Sequence, residues 1–162
     1  SNSEKMWLFI PNRSKLYSGK ANKKNLRRLA NFDWELGELV SVMAGSPPIR
    51  EDSELLQVGA QRDGHFVEKD GSLHIWTNVK SGRPVRCARY SNGGSKIEYS
   101  VDFSDYRNMN GIYFPYKIEA FFPNRGAKII ILYKDVALNQ EAGADLFVSP
   151  KGGYSKQENL KD

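Results

Sequence analysis

One cysteine and two histidines are all that this 162-residue chain has of the side chains that most often hold metals or pair as nucleophile and base near neutral pH. His65 and His74 fall on different predicted strands, with no cysteine or carboxylate at ligand spacing, so no metal site and no cofactor is expected. No serine stands in a Gly-x-Ser-x-Gly elbow, and the turn glycines Gly93-Gly94 precede no helix that would cradle a phosphate. Asp102, Asp105, Glu119 and Asp135 occupy polar strand positions or turns, where solvated surface is the ordinary state of a carboxylate. The chain is therefore not expected to be an enzyme. Cys87 alone excludes an internal disulfide, and in Val85-Arg86-Cys87-Ala88-Arg89-Tyr90 it reads as a small, structural strand residue. Long apolar runs are absent as well. Nothing approaches the roughly 18 consecutive apolar residues of a spanning helix, and Trp7-Leu8-Phe9-Ile10 is too short for a signal-peptide core.

What is present describes an ordinary globular composition, 40% hydrophobic and 27% charged, with a net charge of +5. Lys20, Lys23, Lys24, Arg27 and Arg28 concentrate positive charge in one helix-compatible stretch. Nucleic-acid readers interleave such charges with exposed aromatics, whereas the aromatics here fall on strand positions, so no nucleic-acid partner is expected. A solvated helix face accounts for the cluster, with attraction to an anionic membrane surface as the weaker reading.

The clearest pattern lies in the second half. In Ile97-Glu98-Tyr99-Ser100-Val101-Asp102-Phe103 the odd positions are apolar and the even ones polar, the period of a strand with one buried face. Ile112, Phe114, Tyr116, Ile118, Ala120 and Phe122 form a second such face, followed by a Pro123-Asn124-Arg125-Gly126 turn and an apolar run over 128–138. Turn signals at Asp63-Gly64, Asp70-Gly71, Ser81-Gly82-Arg83-Pro84 and Asn92-Gly93-Gly94 divide residues 54–138 into six or seven antiparallel strands. Upstream, residues 5–10 and 15–18 read as a first hairpin. Asp33 stands at an N-cap position ahead of a stripe of Leu36, Leu39, Val40 and Met43, closed by Gly45 and Pro47-Pro48. The predicted fold is α+β: a curved antiparallel sheet with one helical segment on its concave face. Residues 1–148 are expected to form one domain and 149–162, rich in Lys, Gly and Ser, a flexible tail.

Val101-Asp102-Phe103-Ser104-Asp105-Tyr106-Arg107, then Asn110-Gly111-Ile112-Tyr113-Phe114-Pro115, then Tyr133-Lys134-Asp135-Val136-Ala137-Leu138-Asn139 with Leu146-Phe147, resemble in order and spacing the C-terminal half of the LolA/LolB-like superfamily of periplasmic lipoprotein carriers and outer-membrane lipoproteins. Met6-Trp7-Leu8-Phe9-Ile10-Pro11, Lys15-Leu16-Tyr17-Ser18-Gly19 and the helix end before Pro47-Pro48 resemble the middle of its uncharacterised lipoprotein branch. The resemblance implies a half-barrel whose concave apolar face accepts acyl chains of lipids or lipoproteins, without chemistry, in the periplasm or at the outer membrane. It also implies that the segment matching the family's N-terminal helix and first strands is missing, so that the family's carrier arginine and receptor leucine have no counterpart here.

The expected function is thus non-enzymatic lipid or lipoprotein acyl-chain binding. Ile97, Tyr99, Val101, Phe103, Phe114, Tyr116 and Ile118 would line the groove beneath a lid of Leu36, Leu39, Val40 and Met43. The alternative is a structural or interaction module of the cell envelope whose sheet is fully packed and holds no ligand. A sheet lacking its first strands would also leave residues 5–10 as an open edge prone to self-association.

Overall fold

The computed structural model describes residues 5–10, 13–30, 34–49, 57–60, 65–70, 72–91, 94–140 and 155–160. The Asp33 cap and the Leu146-Phe147 pair lie outside them. The chain divides into two compact units, residues 1–36 with 137–162 and residues 37–136.

The first unit holds a hairpin of β1 (Lys5–Ile10) and β2 (Lys15–Lys20), followed by α1 (Lys23–Ala30). The Asn22 side chain accepts the Asn25 backbone N–H at 2.8 Å, which caps α1 and satisfies one of its free N-terminal donors. Leu16 and Trp34 are fully buried and Leu26 nearly so, while Lys20, Lys23, Lys24, Arg27 and Arg28 are exposed. The stretch 149–162 is not a loose tail throughout: Lys156–Asn159 form β10, which pairs in parallel with β2. Composition hides this strand because main-chain bonds and charge hold it rather than apolar burial. Lys15 Nζ meets Glu158 Oε1 at 3.1 Å, and Leu160 packs so closely on Gly19 that a Cβ there would lie 2.7 Å from its own.

The second unit is a seven-stranded antiparallel meander in sequence order: β3 (Gln57–Ala60), β4 (His65–Asp70), β5 (Leu73–Asn78), β6 (Arg83–Tyr90), β7 (Ile97–Met109), β8 (Ile112–Phe122) and β9 (Ala127–Leu132). Each strand follows its neighbour through a short connection, so pairing is sequential, and among the described residues β3 and β9 are the edges of an open sheet. The Asn110-Gly111 turn that joins β7 to β8 has positive φ at both residues, +53° and +90°, the twist a two-residue hairpin loop prefers. With α2 (Leu36–Met43), this is the expected α+β arrangement of a curved antiparallel sheet carrying a helix.

The alternation read in β7 and β8 sets the inner face. Val101 opposes Ala120 and Phe103 opposes Ile118, and these, with Tyr99 and Phe122, are all buried. Cys87 is on the same face of β6, and burial pushes its thiol up to about 12, which leaves it a packing residue. On the opposite face Glu119 bridges Lys117 at 2.7 Å and Lys128 at 2.8 Å, and those two hydrogen bonds, Lys117's first, hold its carboxyl down to about 2.

Candidate functional site

α2 meets the largely apolar inner face of β6–β8 through the buried Val42 and through a set of polar contacts. Glu38 Oε1 lies 3.3 Å from Arg89 Nε and accepts the Tyr99 hydroxyl at 3.1 Å. Arg89 and Tyr99 are cross-strand partners on β6 and β7, and Arg89 Nε also donates to Tyr99 Oη at 3.1 Å. The same guanidinium reaches Ser72 Oγ at 3.1 Å and, just past the helix, the Pro48 carbonyl at 3.3 Å. Tyr133, at the end of β9, donates its hydroxyl to the Met43 carbonyl at 2.5 Å. The Arg89 and Glu38 side chains are only 9% and 12% exposed, so both charges have left water and depend on each other. Burial, then the Glu38 charge, push the Tyr99 hydroxyl well above its ordinary value and keep it a neutral donor.

Gly45 ends α2 in the left-handed region at φ +77° and brings the helix end onto β8. A Cβ at this position would sit 2.7 Å from Pro115 Cδ and 3.3 Å from Phe114 Cε2. Glycine thus serves both the helix stop and the close approach.

Of the seven residues expected in the groove, Tyr99, Val101, Phe103, Phe114 and Ile118 are buried, and Tyr116 is half-buried on the same face of β8. Phe114 meets Tyr133 edge-on with ring centroids 5.0 Å apart, while Tyr116 lies beneath Arg107, 4.1 Å from the ring centroid. Ile97 does not join this set. The β6–β7 register slips by one between Arg89 and Tyr90, which pairs Ile97 with Tyr90 and turns it to the outer face, beside Ala88 and Asp102.

The helix is also rotated relative to the stripe expected of it. Leu36 and Leu39 are half-buried, Val40 and Met43 are 56% and 47% exposed, and Val42 is fully buried. The physical reason is Glu38, one turn before Val42. Its ion pair with Arg89 and hydrogen bond from Tyr99 bring its side of the helix to the sheet. Arg89 and Glu38 were not expected at the site. The available signal was parity: Arg89 follows Cys87 at an inward position of β6, where a charge needs a buried partner.

No family model matches the chain, and no curated protein sequence does. Among solved structures it is similar to a LolA superfamily protein from Nitrosomonas europaea, with a TM-score of 0.53 and 16% identity over 90% of this chain and 66% of that one. It is also similar to a domain assigned to outer membrane lipoprotein sorting from Vibrio parahaemolyticus, with a TM-score of 0.49 and 12% identity over 83% of this chain and 62% of that one. The chain therefore spans just under two thirds of the length of either protein. At 16% identity the likeness to the first establishes the fold, and that fold is LolA-like.

Proposed function

We propose that the chain is a non-enzymatic binding domain of the bacterial cell envelope, periplasmic or outer-membrane-associated, that shelters an acyl chain of a lipid or lipoprotein against the inner face of its seven-stranded sheet. The observation that carries this reading is an apolar sheet face covered by a helix that polar contacts hold and that buries a single residue, Val42, completely. Separating this cover breaks the Glu38–Arg89 pair and a few hydrogen bonds, which water replaces, and bares apolar surface around Tyr99 and Phe114 that an acyl chain would cover in its place. A methylene leaving water contributes about 0.8 kcal/mol, so about ten carbons offset both the lost clasp and the ordering of the chain. The LolA-like fold supports the same reading, and the exposed basic residues of α1 suit an anionic membrane surface.

Native mass spectrometry of protein purified without detergent, with and without added palmitate, tests it. A bound fatty-acid or phospholipid mass is the expected result. Clean apoprotein that also refuses palmitate would instead favour the interaction module, a reading supported by the near-complete burial of Tyr99, Val101, Phe103 and Ile118.

Among the described residues β1 pairs on one side only, with β2, so its other edge offers main-chain donors and acceptors to an added strand. The chain is expected to self-associate with rising concentration in sedimentation experiments. A single monomeric species at every concentration would remove β1 as an association edge.

A further inference from the structure

The outer face of the sheet, opposite α2, carries an open hollow of about 470 Å³ lined by Trp76, Val85, Arg86, Ala88, Tyr90, Ile97 and Asp102. Two register faults build it. One lies in the β5–β6 pairing between Trp76 and Thr77 and leaves Val85 as the extra residue. The other, between Arg89 and Tyr90, turns Ile97 outward. Strict alternation would send both aliphatic side chains inward, and instead both line the same hollow. Small, buried Ala88 and Ser100, cross-strand neighbours, leave the floor low. On one side stands a ring cluster in which His74 lies 4.4 Å from Tyr90 and 6.1 Å from Trp76, centroid to centroid.

Across the floor Trp76, Arg86, Asp102 and Glu119 form one row on four successive strands. Arg86 Nη1 and Asp102 Oδ1 are 3.6 Å apart and both side chains are nearly half exposed, so they retain hydrogen-bonding capacity toward a ligand. A second hollow of about 300 Å³ continues from the same two residues toward Phe121 and Lys128.

We propose that this face binds a neutral, N-acetylated oligosaccharide. Every charge in the row has an opposite charge beside it, which selects against a net ionic ligand. A bare acyl chain would desolvate Arg86 and Asp102 without replacing their hydrogen bonds. An acetamido sugar matches the polar and apolar parts of the lining together: its amide N–H donates to Asp102, its carbonyl accepts from Arg86, its methyl packs on Val85 and Ile97, and the apolar face of the ring lies on Trp76. Two hollows that share Arg86 and Asp102 suit an oligomer better than one sugar ring. The site is on the opposite face from the proposed acyl groove and does not depend on it.

Amide NMR titration of the full chain with chitotetraose, maltotetraose and palmitate tests the proposal. Chitotetraose is expected to shift the Trp76 indole, Ala88 and Ile97 and to leave Val101 and Ile118 unmoved. Trp76→Ala should weaken binding about tenfold, and Trp76→Phe, which keeps a ring and guards against a folding defect, by about threefold or less. Asp102→Asn should weaken it about tenfold by removing a charged acceptor. The proposal is overturned by the absence of any shift up to the solubility limit, by equal binding of maltotetraose, by unchanged affinity in folded Trp76→Ala, or by displacement of the sugar with palmitate.

Discussion

Replacing Arg89 by alanine is expected to lower the free energy of unfolding by roughly 3–5 kcal/mol, because it leaves Glu38 as a buried charge without its cation. For a domain whose total stability is about 5–15 kcal/mol, that loss is a large fraction of the total. The guanidinium also ties down Ser72 Oγ and the Pro48 carbonyl, so the connection after α2 loosens with it. Glu38→Leu alone should also destabilise, since it removes the carboxylate that faces the buried Arg89 guanidinium, though less, because Arg89 keeps its hydrogen bonds to Tyr99, Ser72 and Pro48. The double substitution Arg89→Leu with Glu38→Leu removes both charges and should recover most of the loss, because apolar residues of similar size commonly replace a buried pair at little cost. Urea unfolding of the unsubstituted chain, Arg89→Leu, Glu38→Leu and the double variant forms a double-mutant cycle, and near-additive single effects would show that the pair does not hold α2. Native-state hydrogen exchange supplies a local readout: in Arg89→Ala the amides of α2 should exchange faster than those of β7 and β8.

The second large effect is at Gly45. Alanine there combines left-handed backbone strain of about 1–2 kcal/mol with a clash on the rigid Pro115 ring worth about 1–3 kcal/mol, for a loss of roughly 2–5 kcal/mol. Two controls separate these causes. Gly82→Ala has φ +65° but open space around the new Cβ, so it should show only the strain of about 1–2 kcal/mol. Gly37→Ala lies inside α2 with nothing within 4 Å and should stabilise by about 0.5–1 kcal/mol. The shift in thermal midpoint of the three variants measures all of this. A Gly45→Ala protein as stable as Gly82→Ala would show that the helix end has room on β8.

Local periodicity was enough to place much of this protein. Alternation in Ile97-Glu98-Tyr99-Ser100-Val101-Asp102-Phe103 put Tyr99, Val101 and Phe103 on one buried face, and the same period in β8 put Phe114, Ile118, Ala120 and Phe122 opposite them. A strand's side chains alternate by backbone geometry alone, and a glycine followed by two prolines stops a helix wherever it occurs, so the inner face and the end of α2 were legible without tertiary contacts. The α+β sheet and its meander order follow from the same signals and from short turns. Ile97 escaped because a bulge is a relation between two strands: its parity is set by Tyr90 across the ladder, not by its own neighbours. The helix face escaped for a related reason. Apolar spacing favours a stripe through Val40 and Met43, but burying Glu38 becomes favourable once Arg89 and Tyr99, 51 and 61 residues away in the chain, arrive from β6 and β7 to satisfy it. Lys156–Asn159 carry no apolar pattern at all, and become a strand because β2 presents a row of main-chain partners and Lys15 presents a charge to Glu158. Where burial by a residue's own neighbours decides, the sequence suffices. Where a group needs a partner from a distant strand, only the tertiary structure supplies the answer, because the free energy lies in the pair and not in either residue.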